Sequence, residues 1–151
     1  DETLFIIIHQ SYELWFKQIL HELGSIRTIM EKPFIPSTEL AVINRRLERV
    51  TKIQDLLIDK INIMETMTSL DFMEFRDFLV PASGFQSLQF RLIEATLGIK
   101  AHHRMEVEKQ FFNSRLKPED RKLLEETEGK ISMLELIETW LSRMPFSKFE
   151  G

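Results

Sequence analysis

Three stretches of this chain carry side chains that could do chemistry, and each calls for a different partner. His9 follows the apolar run Leu4-Phe5-Ile6-Ile7-Ile8. An imidazole titrates near neutrality and offers two distinct ring nitrogens for hydrogen bonding. The residues alone leave two readings open there: a core histidine satisfied by one hydrogen bond, or a ring aimed into a cavity. Arg76 stands one helical turn after Phe72, in a stretch that also holds Phe75 and Phe78. A guanidinium among aromatics needs an anion, because stranding a buried charge costs about 3–5 kcal/mol. A nearby Glu would serve, and so would a ligand carboxylate gripped at two points. Ala82-Ser83-Gly84 sits between two helical stretches. Its glycine would allow a ligand close to the backbone and the next helix would offer free N–H groups, although a plain turn explains it equally well.

Other chemistries lack their residues. There is no Walker loop, dinucleotide fingerprint, nucleophile elbow or HExxH zinc motif. The histidines are His9, His21, His102 and His103, and none has a Glu three positions before it, which disfavours a carboxylate di-iron bundle. His102 and His103 are adjacent and point apart in any regular structure, so they read as an exposed pair. With no cysteine, disulfides, cysteine-based zinc sites, thiolate nucleophiles and thiolate-ligated haem are excluded together.

Helices must position these groups. From about Thr3 to Met30, Phe5, Ile8, Tyr12, Trp15, Phe16, Ile19, Leu23, Ile26 and Met30 recur at three- and four-residue steps. Such a helix is roughly 40 Å long. Pro33 and Pro36 break it. Ser37 or Thr38 can cap a second long helix to about Met67, with a stripe of Leu40, Ile43, Leu47, Val50, Leu57, Ile61 and Met64 and Ile53 filling in. The short loop between them predicts an antiparallel pair. Shorter helices follow over 70–79, 85–97, 118–127 and from Ser132 to before Pro145, with 99–113 ambiguous. Thr68 with Asp71, and Ser132 with Glu135, are spaced as capping boxes, and Gly98 suits a helix C-terminus. The fold class is all-α: a helical bundle with two long antiparallel amphipathic helices plus shorter ones, in a single region over 1–151.

Composition narrows the partners. The 151 residues are 43% hydrophobic and 29% charged, an ordinary globular balance. Twenty Lys+Arg against 24 Asp+Glu give a net charge of −4, so there is no polycation for nucleic acid or an anionic membrane. Arg45, Arg46, Arg49 and Lys52 alternate with Glu48 and Asp55 and read as a solvated face. The longest apolar run, Leu4 to Ile8, is far short of the ~20 residues a membrane span needs. No secretory signal is visible, and the lack of cysteine fits a reducing, cytoplasmic location.

Two long motifs carry a resemblance. His9-Gln10-Ser11-Tyr12-Glu13-Leu14-Trp15-Phe16-Lys17-Gln18 resembles the HQxxELWFKQ signature of the tryptophan 2,3-dioxygenases. The stretch from Leu70 through Phe72, Arg76 and Pro81-Ala82-Ser83-Gly84 to Arg91 is similar to that family's second block, and Leu134-Glu135-Leu136-Ile137-Glu138 with Trp140-Leu141 to a later helix.

The resemblance implies an all-helical, haem-dependent homotetramer that inserts both atoms of O2 across the indole C2–C3 bond of L-tryptophan, giving N-formylkynurenine. By it, His9 matches the distal histidine that meets the indole N–H. Phe5 lines the indole pocket with Ile6, Ile7 and Ile8, and Phe72 takes a pocket position. Arg76 matches the arginine that pairs with the substrate carboxylate. Tyr12, Ser83 and Gly84 match positions beside haem and substrate. The family's N-terminal arm is expected before Asp1, where nothing resembling it is present, and its proximal haem histidine and substrate loop are expected beyond Gly151. The expectation is therefore an N-terminal part with no metal ligand of its own, inactive and haem-free when alone. The competing expectation is a non-catalytic helical module that self-associates through its long helices.

Overall fold

The first two helices set the frame. In the computed structural model, which describes residues 1–79, 87–99 and 116–144, α1 spans Glu2–Met30 and α2 spans Ser37–Met64. Their partners descend in register: Ser11 meets Lys60, Tyr12 meets Leu57, and Glu22 meets Arg49 and Arg46. Rising numbers on one helix face falling numbers on the other, which makes the pair antiparallel as the short loop predicts.

The seam on α2 differs from the predicted stripe. Ile43, Val50 and Leu57, seven residues apart, are buried together with Ile53. The positions three residues after Ile43 and Leu57 are Arg46 and Lys60, so charged heads alternate with apolar knobs along one contact line. Leu47 and Ile61, placed on the stripe by their apolar character, are exposed instead. The termini shift as well. Pro36 is the N-cap, and its carbonyl accepts from Glu39 and Leu40, with no side-chain cap from Ser37 or Thr38. α2 stops at Met64 because the next amides turn back over three residues, Thr66 onto Ile63 and Met67 onto Met64.

Shorter helices complete the molecule. α3, Ser69–Phe75, opens with the Thr68–Asp71 capping box and tightens into a 3-10 turn, Arg76–Leu79. α4, Leu88–Leu97, is capped by Ser87 and ended by Gly98 at φ +110°. α5, Pro118–Glu128, starts on its proline, and α6, Met133–Ser142, carries the Ser132–Glu135 capping box. α1 packs against α2, α4 and α6. The main core joins Ile19, Leu23, Ile26 and Met30 of α1 to the α2 seam, Ile93, Met133 and Leu136. A smaller cluster joins Ala95 of α4 to Leu124 of α5. At the far end, Arg143 donates to the carbonyls of Lys32 and Pro33 and so fastens α6 to the α1–α2 loop. No helix among the described residues is long and apolar enough to cross a membrane.

Candidate functional site

His9 is exposed on the second turn of α1 rather than sealed in the core. Its Nδ1 lies 2.8 Å from the carbonyl oxygen of Phe5. A carbonyl can only accept, so Nδ1 carries the hydrogen, and in the neutral ring Nε2 is left as an acceptor. The Phe5 ring covers one face of the imidazole at a centroid distance of 4.0 Å. One residue thus fixes both the tautomer and the tilt of His9.

Phe5 also reaches the neighbouring segment. Its ring is 5.8 Å from Phe72 and 5.5 Å from Phe75, and Phe72 meets Phe75 edge-on at 5.4 Å. These are favourable aromatic separations. Phe75 is buried, whereas Phe5 and Phe72 are half-buried. Arg76 follows directly. Its guanidinium is exposed, donates to Met73 Sδ at 3.8 Å, and meets no carboxylate among the described residues. The aromatic cluster therefore brings the His9 and Arg76 segments together, and the internal Glu partner that burial would have required is not seen.

On its other side His9 borders a cavity of about 900 Å³ between α1, the end of α2 and the start of α4. Ile8, Tyr12, Phe16, Met64 and Phe90 give it apolar walls, and Gln10, Glu13, Lys17 and Gln89 supply polar groups. That volume and mix suit a sizeable, largely apolar guest. Gln89 donates to both the carbonyl and the carboxylate of Glu13, at 2.8 and 2.7 Å, tying α4 to α1 beside the opening. Tyr12 donates its hydroxyl to the Leu57 carbonyl, and burial pushes the phenol pKa up, which keeps that donor protonated. Only the ring of Tyr12 is then left for the cavity.

Ile8 lines this cavity, whereas Ile6 and Ile7 are exposed and are not among its lining residues. Ser83 and Gly84, with His102 and His103, lie outside the described residues. His21 is exposed on α1.

The basic set is corrected in part. Arg46 and Arg49 do not simply face water: each donates to Glu22 at 2.6 Å, and Gln18 adds a bond at 2.7 Å. Glu22 is only 1% exposed. Burial alone would raise its pKa, but the hydrogen bonds from Arg49, Arg46 and Gln18 hold the carboxyl below the ordinary glutamate range. The sequence signal was available in principle, since Glu22 falls on the same face of α1 as Trp15 and Gln18 at helical spacing. Phe75 is legible in the sequence as an aromatic neighbour of Arg76 but not as a contact of Phe5, and nothing local marks Gln89 as a tie to Glu13.

The comparisons with known proteins converge. A family model described as tryptophan 2,3-dioxygenase matches residues 1–151. Among curated relatives, a tryptophan 2,3-dioxygenase of Dictyostelium discoideum is 54% identical over 151 residues, covering 100% of this chain and 38% of the relative. One from Alteromonas mediterranea is 51% identical over 99% of this chain and 41% of the relative. One from Aedes aegypti is 48% identical over 100% of this chain and 39% of the relative. The chain spans about two-fifths of the length of these relatives. With its full length matched by the family model, the chain belongs to the tryptophan 2,3-dioxygenase family.

Proposed function

We propose that this chain forms part of a haem-dependent enzyme that opens the indole ring of L-tryptophan with O2. Both oxygen atoms enter the product, N-formylkynurenine, as the C2–C3 bond breaks. The observation that carries the reading is the pairing of an acceptor Nε2 on His9 with an exposed guanidinium on Arg76 that meets no carboxylate among the described residues, the two segments joined through Phe5 and Phe72.

The residues have separable tasks. His9 accepts the indole N–H at Nε2 while the Phe5 carbonyl holds its other nitrogen. Phe5 and Phe72 offer aromatic faces to the indole, where stacking and exclusion of water favour a flat apolar ring. Arg76 receives the substrate carboxylate in a two-point grip. An amino acid with a large aromatic side chain is thereby held at both ends. Ser83 and Gly84 are proposed beside haem and substrate on the strength of the family motif.

The cavity next to His9 fits the cofactor in chemistry: its volume and its walls of Ile8, Tyr12, Phe16, Met64 and Phe90 suit a flat macrocycle. Haem, when bound, supplies the binding and activation of dioxygen. Since His9 is assigned to the substrate, the residue that would ligate the haem iron is proposed to lie in the part of the relatives' length outside residues 1–151. A homo-oligomer is supported by apolar side chains left in the open on α1 and α2, among them Leu14, Ile58 and Ile63. A cytoplasmic location is proposed from membership of the family.

The test is turnover of L-tryptophan by the full-length protein loaded with haem, followed as formation of the N-formyl product. Turnover that falls when His9 or Arg76 is replaced supports the reading. A full-length protein that binds haem and assembles but neither binds nor converts tryptophan overturns it in favour of a non-catalytic, self-associating module.

A further inference from the structure

Phe75 holds a position the ligand-binding roles leave unexplained. It is the one buried residue of α3, at 4% exposure, and it ends the helix immediately before Arg76. A seven-residue helix is not stable by itself in water, so tertiary contacts must decide where it lies. Leu70, Met73 and Phe78 of this segment are largely exposed and fasten it to little. Phe75 instead packs its ring against both Phe5, at 5.5 Å, and Phe72, at 5.4 Å. Phe5 in turn covers His9 at 4.0 Å and holds its Nδ1.

We infer that Phe75 is a positioning residue that fixes the carboxylate-binding guanidinium of Arg76 relative to the indole-binding imidazole of His9. The inference rests on the reading of Arg76 and His9 given above. Phe75 need not touch the ligand; it acts through its two ring neighbours and through the backbone it shares with Arg76. Removing the ring frees the short helix and its 3-10 turn to drift against α1. What is lost first is the match between the two ends of the guest, so the protein ceases to distinguish an indole amino acid from the same indole amine without its carboxylate.

The experiment is equilibrium binding of L-tryptophan and of tryptamine to the full-length haem protein, with oxygen excluded. The quantity read is the ratio of the two dissociation constants. Arg76→Ala is expected to shrink the wild-type preference for tryptophan by about tenfold or more, the size of a lost charge-assisted bond. Phe75→Ala is expected to shrink it comparably with Arg76 still in place, and Phe75→Leu, which refills most of the space, to restore most of it. Should Phe75→Ala not fold, Phe75→Val is read in its place against Phe75→Leu. A Phe75 variant that weakens both ligands equally, or neither, while Arg76→Ala erases the preference, overturns the inference and leaves the reading of Arg76 standing. If Arg76→Ala itself leaves the preference intact, the carboxylate assignment fails, and the role of Phe75 fails with it.

Discussion

Glu22 and Arg46 meet at 2.6 Å across the α1–α2 seam, the carboxylate closed off from water and the guanidinium about a quarter exposed. Arg49 takes the second carboxylate oxygen from a more open position. This ion pair sits where a coiled-coil seam would usually place apolar side chains, and it fixes register rather than adding to the apolar core.

Replacing Glu22 by Ala should therefore destabilise the protein by about 2–3 kcal/mol, between the limits for buried and for surface pairs, because both arginines retain some access to water. Arg49→Ala should cost less than Arg46→Ala, since Arg49 is the more exposed partner. Urea denaturation of the three variants gives the order directly. Equal losses would show that the pair does not depend on its surroundings.

Acid should weaken the fold through the same carboxylate. The pKa of Glu22 is held below its ordinary value in the folded chain, so the group stabilises the fold above the unfolded pKa. That stabilisation is lost as pH falls from the ordinary carboxylate range through the folded value. Asp71, held low by hydrogen bonds from Thr68, shifts in the same direction. Midpoints of thermal unfolding measured downward from pH 6 should fall for the wild type. Glu22→Gln should start lower at pH 6 and fall less steeply.

Gly98 ends α4 in the left-handed region, and a Cβ added there would come within 3.0 Å of Ser132 Oγ and 3.2 Å of Ser132 Cβ. Gly98→Ala combines backbone strain with a clash against the cap of α6. A loss of about 1–3 kcal/mol is expected. Gly129→Ala, at ordinary φ and with no atom closer than 3.5 Å, is the control and should be nearly neutral.

Tyr12→Phe removes the donor to the Leu57 carbonyl but keeps the ring beside the cavity. Stability should drop by about 0.5–1.5 kcal/mol. In the full-length protein, tryptophan affinity should change little, which calorimetric titration can check. A large loss of affinity would mean that the hydroxyl leaves Leu57 for the ligand.

In the full-length enzyme, Arg76→Ala should raise the KM for tryptophan by about tenfold to a hundredfold through loss of a charge-assisted grip. His9→Ala should lower kcat and leave haem content unchanged, as read from the absorption spectrum. Loss of the haem from that variant would make His9 an axial ligand.

Local rules carried most of the fold into the sequence. Both capping boxes, the αL glycine at 98 and the proline-broken pair of long helices are visible because each depends on neighbours three or four residues away. The α2 seam was harder to read. Arg46 looks like a surface residue until Glu22, 24 positions earlier, is placed opposite it, and nothing local announces that pairing. Leu47 and Ile61 misled for the converse reason, since apolar character alone does not say which of two adjacent stripes is covered. At the site, His9 and Arg76 stood out by type and motif. The ring contacts of Phe5 with His9 and with Phe75, which join the two segments, appear only when two distant helices are brought together.

Because α1 is the shared partner of α2, α4 and α6, none of these three can detach without loosening the same rod. Amide protons in its middle turns should exchange with deuterated solvent only when the whole molecule opens, whereas those of α3 should exchange through local fluctuations. The histidine and the arginine would then belong to different dynamic regimes, one rooted in the slowest-exchanging element and the other carried on a fast one.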